Sequence, residues 1–208
     1  MDNFNWPLAR EVAKDYPEVT VRFGVEVDYR HDQETEIRAF LPTLPCDFRI
    51  GSVHNIGEWN FDHPDSRADF DHWDLDELYR TYFAEVAACA ATHLFQIIGH
   101  LDLIKIFGHR PKGDVVELAG VALRAIAEAG VAIELSTAGL RRPVEETYPS
   151  LPLLSRAYQL NIPLTLSSDA HRPEEVGAEV DQAARIARQV GYRTVTVFSN
   201  RLPRQVEI

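Results

Sequence analysis

Cysteine is nearly absent, occurring only at Cys46 and Cys89, and neither position sits in a CxxC or any other metal-ligand spacing. A disulfide framework and a thiolate zinc site are therefore excluded, and two buried, reduced thiols are expected. Long apolar runs are also missing: none approaches the ~20 residues that span a bilayer. The amino-terminal stretch MDNFNWPLAREVAKD carries acids and no extended apolar core, unlike a secretory signal. These two absences point to the cytoplasm and away from a membrane. Basic residues are the minority, 21 Lys and Arg against 32 Asp and Glu, for a formal charge of −11. A nucleic-acid binder needs a basic patch or stripe, and none is visible, so no nucleic-acid partner is expected.

What is present is ordinary globular composition, 45% hydrophobic and 25% charged over 208 residues. That is enough chain for a sizeable core, and no linker, repeat or composition break divides it, so residues 1–208 are expected to form one domain. Short apolar runs at Val19–Val27, Phe48–Val53, Phe95–Gly99, Val131–Leu135, Pro163–Ser167 and Thr194–Phe198 predict strands buried on both faces. Amphipathic stretches predict helices over Asp74–Thr92, Asp114–Glu128, Pro173–Val190 and Pro7–Asp15, with Gly130 and Gly191 where carboxy-terminal caps belong. Strand–helix alternation implies an α/β fold with a parallel sheet, open or closed into a barrel. The long segment Asn55–Trp73 reads as a loop, either a wall of a site or a surface insertion.

The informative pattern is where histidines and acids fall. Glu26 ends an apolar run, His54 follows RIGSV, His100 follows QIIG, and Asp169 and His171 follow LTLSS. Singly, each has a plain explanation: a loop histidine, a strand-margin glutamate, a helix cap. Together they put imidazoles and carboxylates from four strands at the carboxyl-terminal edge, where parallel α/β proteins bind ligands. Such a donor set suits Zn, Mn or Fe. Arg141 and Arg142, after Val131–Leu135, lie at the same edge as candidate phosphate donors, and His109 is a candidate pocket residue. Lys105, Arg110 and Arg172 rank below them. His31 and His93 are expected to be solvated, and nothing fixes His63 or His72 at the rim.

The segments GVEVDY, DFRIGSVH, IGHLDLIKIFGHR, ELSTAGLRRPVEETYP and SSDAHRPEEVG, with the DHP of the long loop, resemble the PHP (polymerase and histidinol phosphatase) family. Within it, they are most similar to the monofunctional histidinol-phosphatases. The resemblance implies a PHP-type distorted (β/α)7 barrel that hydrolyses L-histidinol phosphate, a small phosphorylated substrate, through divalent metal ions. It implies that Glu26 bridges metals, that His54, His100, Asp169 and His171 are ligands, and that an arginine of TAGLRRP contacts phosphate. Glu26, His54, His100 and Asp169 then act catalytically through the bound metal.

The family also opens with a strand bearing His-x-His, followed by a further ligand and a second strand, and no such segment occurs here. The expectation is an incomplete barrel lacking its first strand–helix–strand unit. Of up to three ions in the full family site, one well-formed site would remain, at Glu26, His54 and His100. An exposed barrel edge would then allow self-association. Either the natural protein begins upstream of Met1, or the short chain is a remnant or borrows the missing part from a partner. A PHP phosphoesterase acting on another small phosphomonoester and a non-catalytic metal-binding remnant are the alternative readings. No GxSxG or cysteine-based phosphatase loop is present to suggest a covalent intermediate.

Overall fold

A computed structural model describes residues 6–208, so the first five positions, MDNFN, of the amino-terminal stretch lie outside the described residues. The strands are β1 (Gly24–Asp28), β2 (Phe48–Ser52), β3 (Asn55–Ile56), β4 (Trp59–Asn60), β5 (Ile97–Ile98), β6 (Ala132–Ser136), β7 (Leu164–Ser167), β8 (Thr194–Ser199) and β9 (Leu202–Glu207). The α-helices are α1 (Trp6–Ala13), α2 (Glu34–Phe40), α3 (Leu75–Ala91), α4 (Val115–Leu118), α5 (Gly120–Ala129), α6 (Leu151–Gln159) and α7 (Val180–Val190). Five strands pair in parallel in the order β1-β2-β5-β6-β7. β1 and β7 are edges, so the sheet stays open rather than closing into a barrel.

Because side chains alternate along a strand, the sheet buries two different faces. Val25, Ile98, Ile133, Leu135 and Leu164 join the main core with the helices. Ile97 and Ala132 turn the other way and pack with Phe198, flanked by Phe48 and Ile50. The helical layer is dominated by α3, whose Leu78, Tyr82, Val86 and Cys89 are buried at three- and four-residue steps, with Phe83 buried beside them. Each such large apolar side chain contributes about 1.5–3 kcal/mol by leaving water. The Asp74 carboxylate accepts the Glu77 N–H at 3.0 Å and so starts the helix. α5 ends at Gly130, whose φ of 67° is the left-handed cap position. Both cysteines are buried and free. Among the described residues no helix is long and apolar enough to cross a membrane.

Four sequence expectations are corrected. Thr194–Phe198 is not a strand of the parallel sheet: β8 pairs antiparallel with β9 as a separate hairpin. The connecting Asn200 and Arg201 both have positive φ, 49° and 65°, the twist that a tight hairpin turn requires. The Asp47 carboxylate fastens this turn by accepting the Asn200 N–H at 2.9 Å and the Phe23 N–H at 3.0 Å. Pro173–Val190 is broken, with a 3-10 turn over Pro173–Glu175 and α7 beginning only at Val180, because Gly177 and Glu179 adopt left-handed backbone. The strand expected over Val19–Val27 is confined to Gly24–Asp28, with Val19 and Val21 exposed. Asn55–Trp73, expected as a loop, contains regular structure: the β3–β4 pair and a 3-10 helix over Pro64–His72. Its aromatic residues anchor it, with Trp59 stacked on Trp73 at 5.6 Å and Phe61 and Phe70 buried.

Candidate metal centre

The parallel register aligns the carboxyl ends of β1 and β2, with Glu26 opposite Ile50 and Asp28 opposite Ser52. His54 lies two residues beyond β2, and His100 two residues beyond β5. Glu26, His54 and His100 therefore meet, with one ligand atom from each all within 4.8 Å of one another. The Glu26 Oε1 is 3.1 Å from the His100 Nε2 and 3.8 Å from the His54 Nε2. The two imidazole Nε2 atoms are 3.2 Å apart. His100 is buried, His54 is half-buried, and the Glu26 side chain is 38% exposed, so the cluster opens to solvent on one side.

Glu26 and His100 perturb each other strongly. Burial alone would raise the Glu26 pKa, but the hydrogen bond from His100 and the imidazole charges outweigh it and hold the carboxyl at about 2. Burial would likewise depress His100, yet the Glu26 hydrogen bond and charge, with smaller help from Glu134 and Asp169, lift it to about 9. Glu134, buried beneath the site, accepts the His100 N–H at 2.8 Å and has a pKa raised chiefly by desolvation. Two imidazoles and a carboxylate converging with an open side are a donor set that fits a divalent cation such as Zn, Mn or Fe.

The remaining expected site residues are distributed around this trio. Asp169 follows β7 in left-handed backbone (φ 46°), its N–H donating to the Ser167 Oγ at 2.8 Å. It lies outside the three-residue group, though near enough for its charge to act on His100 and Glu134. His171 is also outside the group: it is exposed, with its Nδ1 3.1 Å from the Asp169 carbonyl oxygen. The Arg141 guanidinium turns inward, donating to Thr137 O, to Ser168 O and, at 2.9 Å, to the Glu179 carboxylate. Arg142 is exposed. His109 stacks on Phe70 at 4.6 Å, beneath the segment that carries Trp73. Arg172, His31 and His93 are exposed, and His63 accepts the Asp65 N–H as a helix cap.

Two arrangements went unrecognised in the sequence. Lys105 is fully buried, held by Asp102 and Glu146 at 2.9 Å each and donating to Thr147 O at 2.8 Å. Asp28 contacts His54, Nδ1 to Oδ1, at 3.2 Å. The available signal for Asp28 was its spacing, since residues two apart on a strand share a face and Glu26 was already singled out.

Residues 3–138 match the PHP domain family. The chain is 44% identical over 176 residues to a probable histidinol-phosphatase of Deinococcus radiodurans, covering 85% of this chain and 67% of that protein. It is 30% identical to a histidinol-phosphatase of Bacillus subtilis, over 80% of this chain and 69% of the relative. In three dimensions it resembles the histidinol phosphate phosphatase of Lactococcus lactis, whose crystal structure holds Zn, L-histidinol and phosphate. The TM-score is 0.74 at 22% identity, with 97% of this chain and 80% of that one covered.

Proposed function

The chain belongs to the PHP domain family, and from that premise we propose that it is a metal-dependent phosphatase that hydrolyses L-histidinol phosphate to L-histidinol and phosphate. The observation that carries this reading is the meeting of Glu26, His54 and His100 at the carboxyl edge of the sheet. The relatives named for that activity supply the substrate. Glu26, His54 and His100 would hold the cation, with Asp169 and His171 as candidate donors for a further ion at the same rim. A bound divalent cation lowers the pKa of water toward ~7 and offsets phosphate charge. Zinc is the ion found in the Lactococcus lactis structure, and manganese and iron suit the same donors.

The chain's own residues have separable tasks. Glu26 keeps its negative charge at all ordinary pH, so it is always available as a ligand. Arg142, exposed beyond β6, brings positive charge to the phosphate, while Arg141 steadies the turn that carries Ser168 and Asp169. The segment Asn55–Trp73, fastened to His54 by the Phe61 N–H at 3.2 Å, walls the site, with His109 packed behind it. The oxygen of water bonds to phosphorus in line with the ester P–O bond, which breaks, and the proton lost by the water ends on the departing alkoxide to give histidinol, so no serine or cysteine nucleophile is needed. As part of the same proposal, the reaction is assigned to the cytoplasm.

Phosphate release from histidinol phosphate, compared with a panel of sugar and nucleotide phosphates after chelation and after adding back Zn2+ or Mn2+, tests the reading. A preference for histidinol phosphate that vanishes with chelator is expected. Metal-independent release, or equal rates across the panel, would overturn it.

A further inference from the structure

We propose that Asp28 is a positioning residue that fixes His54 as its Nδ1-protonated tautomer and so aims the His54 Nε2 lone pair at the metal centre. The inference rests on the metal-centre reading above, but its geometry stands without any cation. One Asp28 oxygen, Oδ1, is 3.2 Å from the His54 Nδ1 and also accepts the His54 backbone N–H at 3.2 Å. The other, Oδ2, accepts the Asn55 side-chain amide at 2.7 Å. A carboxylate can only accept, so the proton between Asp28 and the ring sits on Nδ1.

The opposite side of the ring gives the same answer. The His54 Nε2 faces the His100 Nε2 at 3.2 Å, and two ring nitrogens can share one proton. The His100 Nε2 is also 3.1 Å from the Glu26 Oε1, an acceptor, so the shared proton belongs to His100. The His54 Nε2 is left as an acceptor directed into the cluster.

The two imidazoles are held in different ways. The His100 ring is fixed by burial, and its outer nitrogen, Nδ1, is buried without a hydrogen-bond partner. The half-buried His54 ring follows the end of β2 and takes its orientation from Asp28. Glu26 and Asp28, two apart on β1, therefore divide the work: one faces the cation, the other faces a ligand of the cation. A carboxylate behind a ligating imidazole raises its basicity and locks its ring, and losing such a partner typically weakens metal binding about 10- to 100-fold.

Two measurements on the full chain test this. Imidazole 1H–15N correlation spectra of the metal-free protein report the His54 tautomer, and competition with a chromophoric chelator reports Zn2+ affinity. The wild type should show His54 protonated at Nδ1. Asp28→Ala should stay folded but lose that preference and bind Zn2+ about 10- to 100-fold more weakly, with its His100 signals unchanged. Asp28→Asn, isosteric but uncharged, should weaken Zn2+ by about tenfold and serves in place of the alanine variant if that one does not fold. Nε2-protonated His54 in the wild type, or wild-type Zn2+ affinity in a folded Asp28 variant, overturns the proposal. A wild type that binds no Zn2+ overturns the metal-centre reading instead, and leaves the tautomer measurement to decide the role of Asp28.

Discussion

His54 and His100 point their Nε2 atoms at each other across 3.2 Å, and the same His100 nitrogen lies 3.1 Å from the Glu26 carboxylate. In the metal-free protein, one proton thus occupies the place where a cation would draw these groups together. A bound cation and that proton would compete for it.

The competition sets a pH dependence of binding. His100 is lifted to about 9, against an ordinary 6.5, while Glu26 stays ionised down to about 2. Between pH 6.5 and 9, Zn2+ must displace the His100 proton, so apparent affinity should rise by up to about tenfold per pH unit and flatten above 9. Chelator competition across this range checks it, and a flat profile would contradict the ion pair.

Stability of the metal-free protein follows the same pair with opposite slopes. A raised His100 pKa contributes stability fully below 6.5, and that contribution is lost as pH rises through about 9. A depressed Glu26 pKa contributes above 4.5 and is lost as pH falls toward 2. The pair should therefore stabilise most between about pH 4.5 and 6.5. Urea midpoints of wild type and Glu26→Gln, measured from pH 5 to 9 without metal, should converge as pH rises. Parallel curves would rule this out.

Lys105 offers a test away from the metal centre. It and Asp102 are each only 1% exposed, and removing the ammonium leaves the Asp102 carboxylate buried with the Ser150 N–H as its remaining partner. Lys105→Ala should cost about 3–5 kcal/mol, because a stranded buried charge is far costlier than a lost surface pair. Urea unfolding measures it, and a loss below about 1 kcal/mol would mean that the network relaxes.

Gly139 is required by a close approach. A Cβ there would collide with the Glu146 carbonyl oxygen and come within 3.0–3.1 Å of the Tyr148 ring. The carbonyl is backbone, pinned nearby by the Ser136–Tyr148 bridge, so it cannot swing aside. Gly139→Ala should destabilise by about 1–3 kcal/mol and perturb the Lys105–Glu146 contact. An unchanged melting temperature would show that the segment yields.

Residue spacing along the chain was enough to put Glu26, His54 and His100 at one edge, each just after or within an apolar run. It also determined the apolar stripe of α3 and the glycine that caps α5. Those features are local: a period, a cap and the end of an apolar run can all be read along one dimension. It took the folded arrangement to show that β8 leaves the parallel sheet for a hairpin with β9, fastened by Asp47 from a distant loop. That arrangement alone turned Arg141 inward onto Ser168 and Glu179, buried Lys105 between Asp102 and Glu146, and set Asp28 behind His54. Each of these depends on strand register and on which segments cross, so the partner of a charged side chain is chosen by a neighbour far away in the chain. The members of the cluster were therefore legible before folding, whereas the groups that orient them became visible only once the strands were aligned.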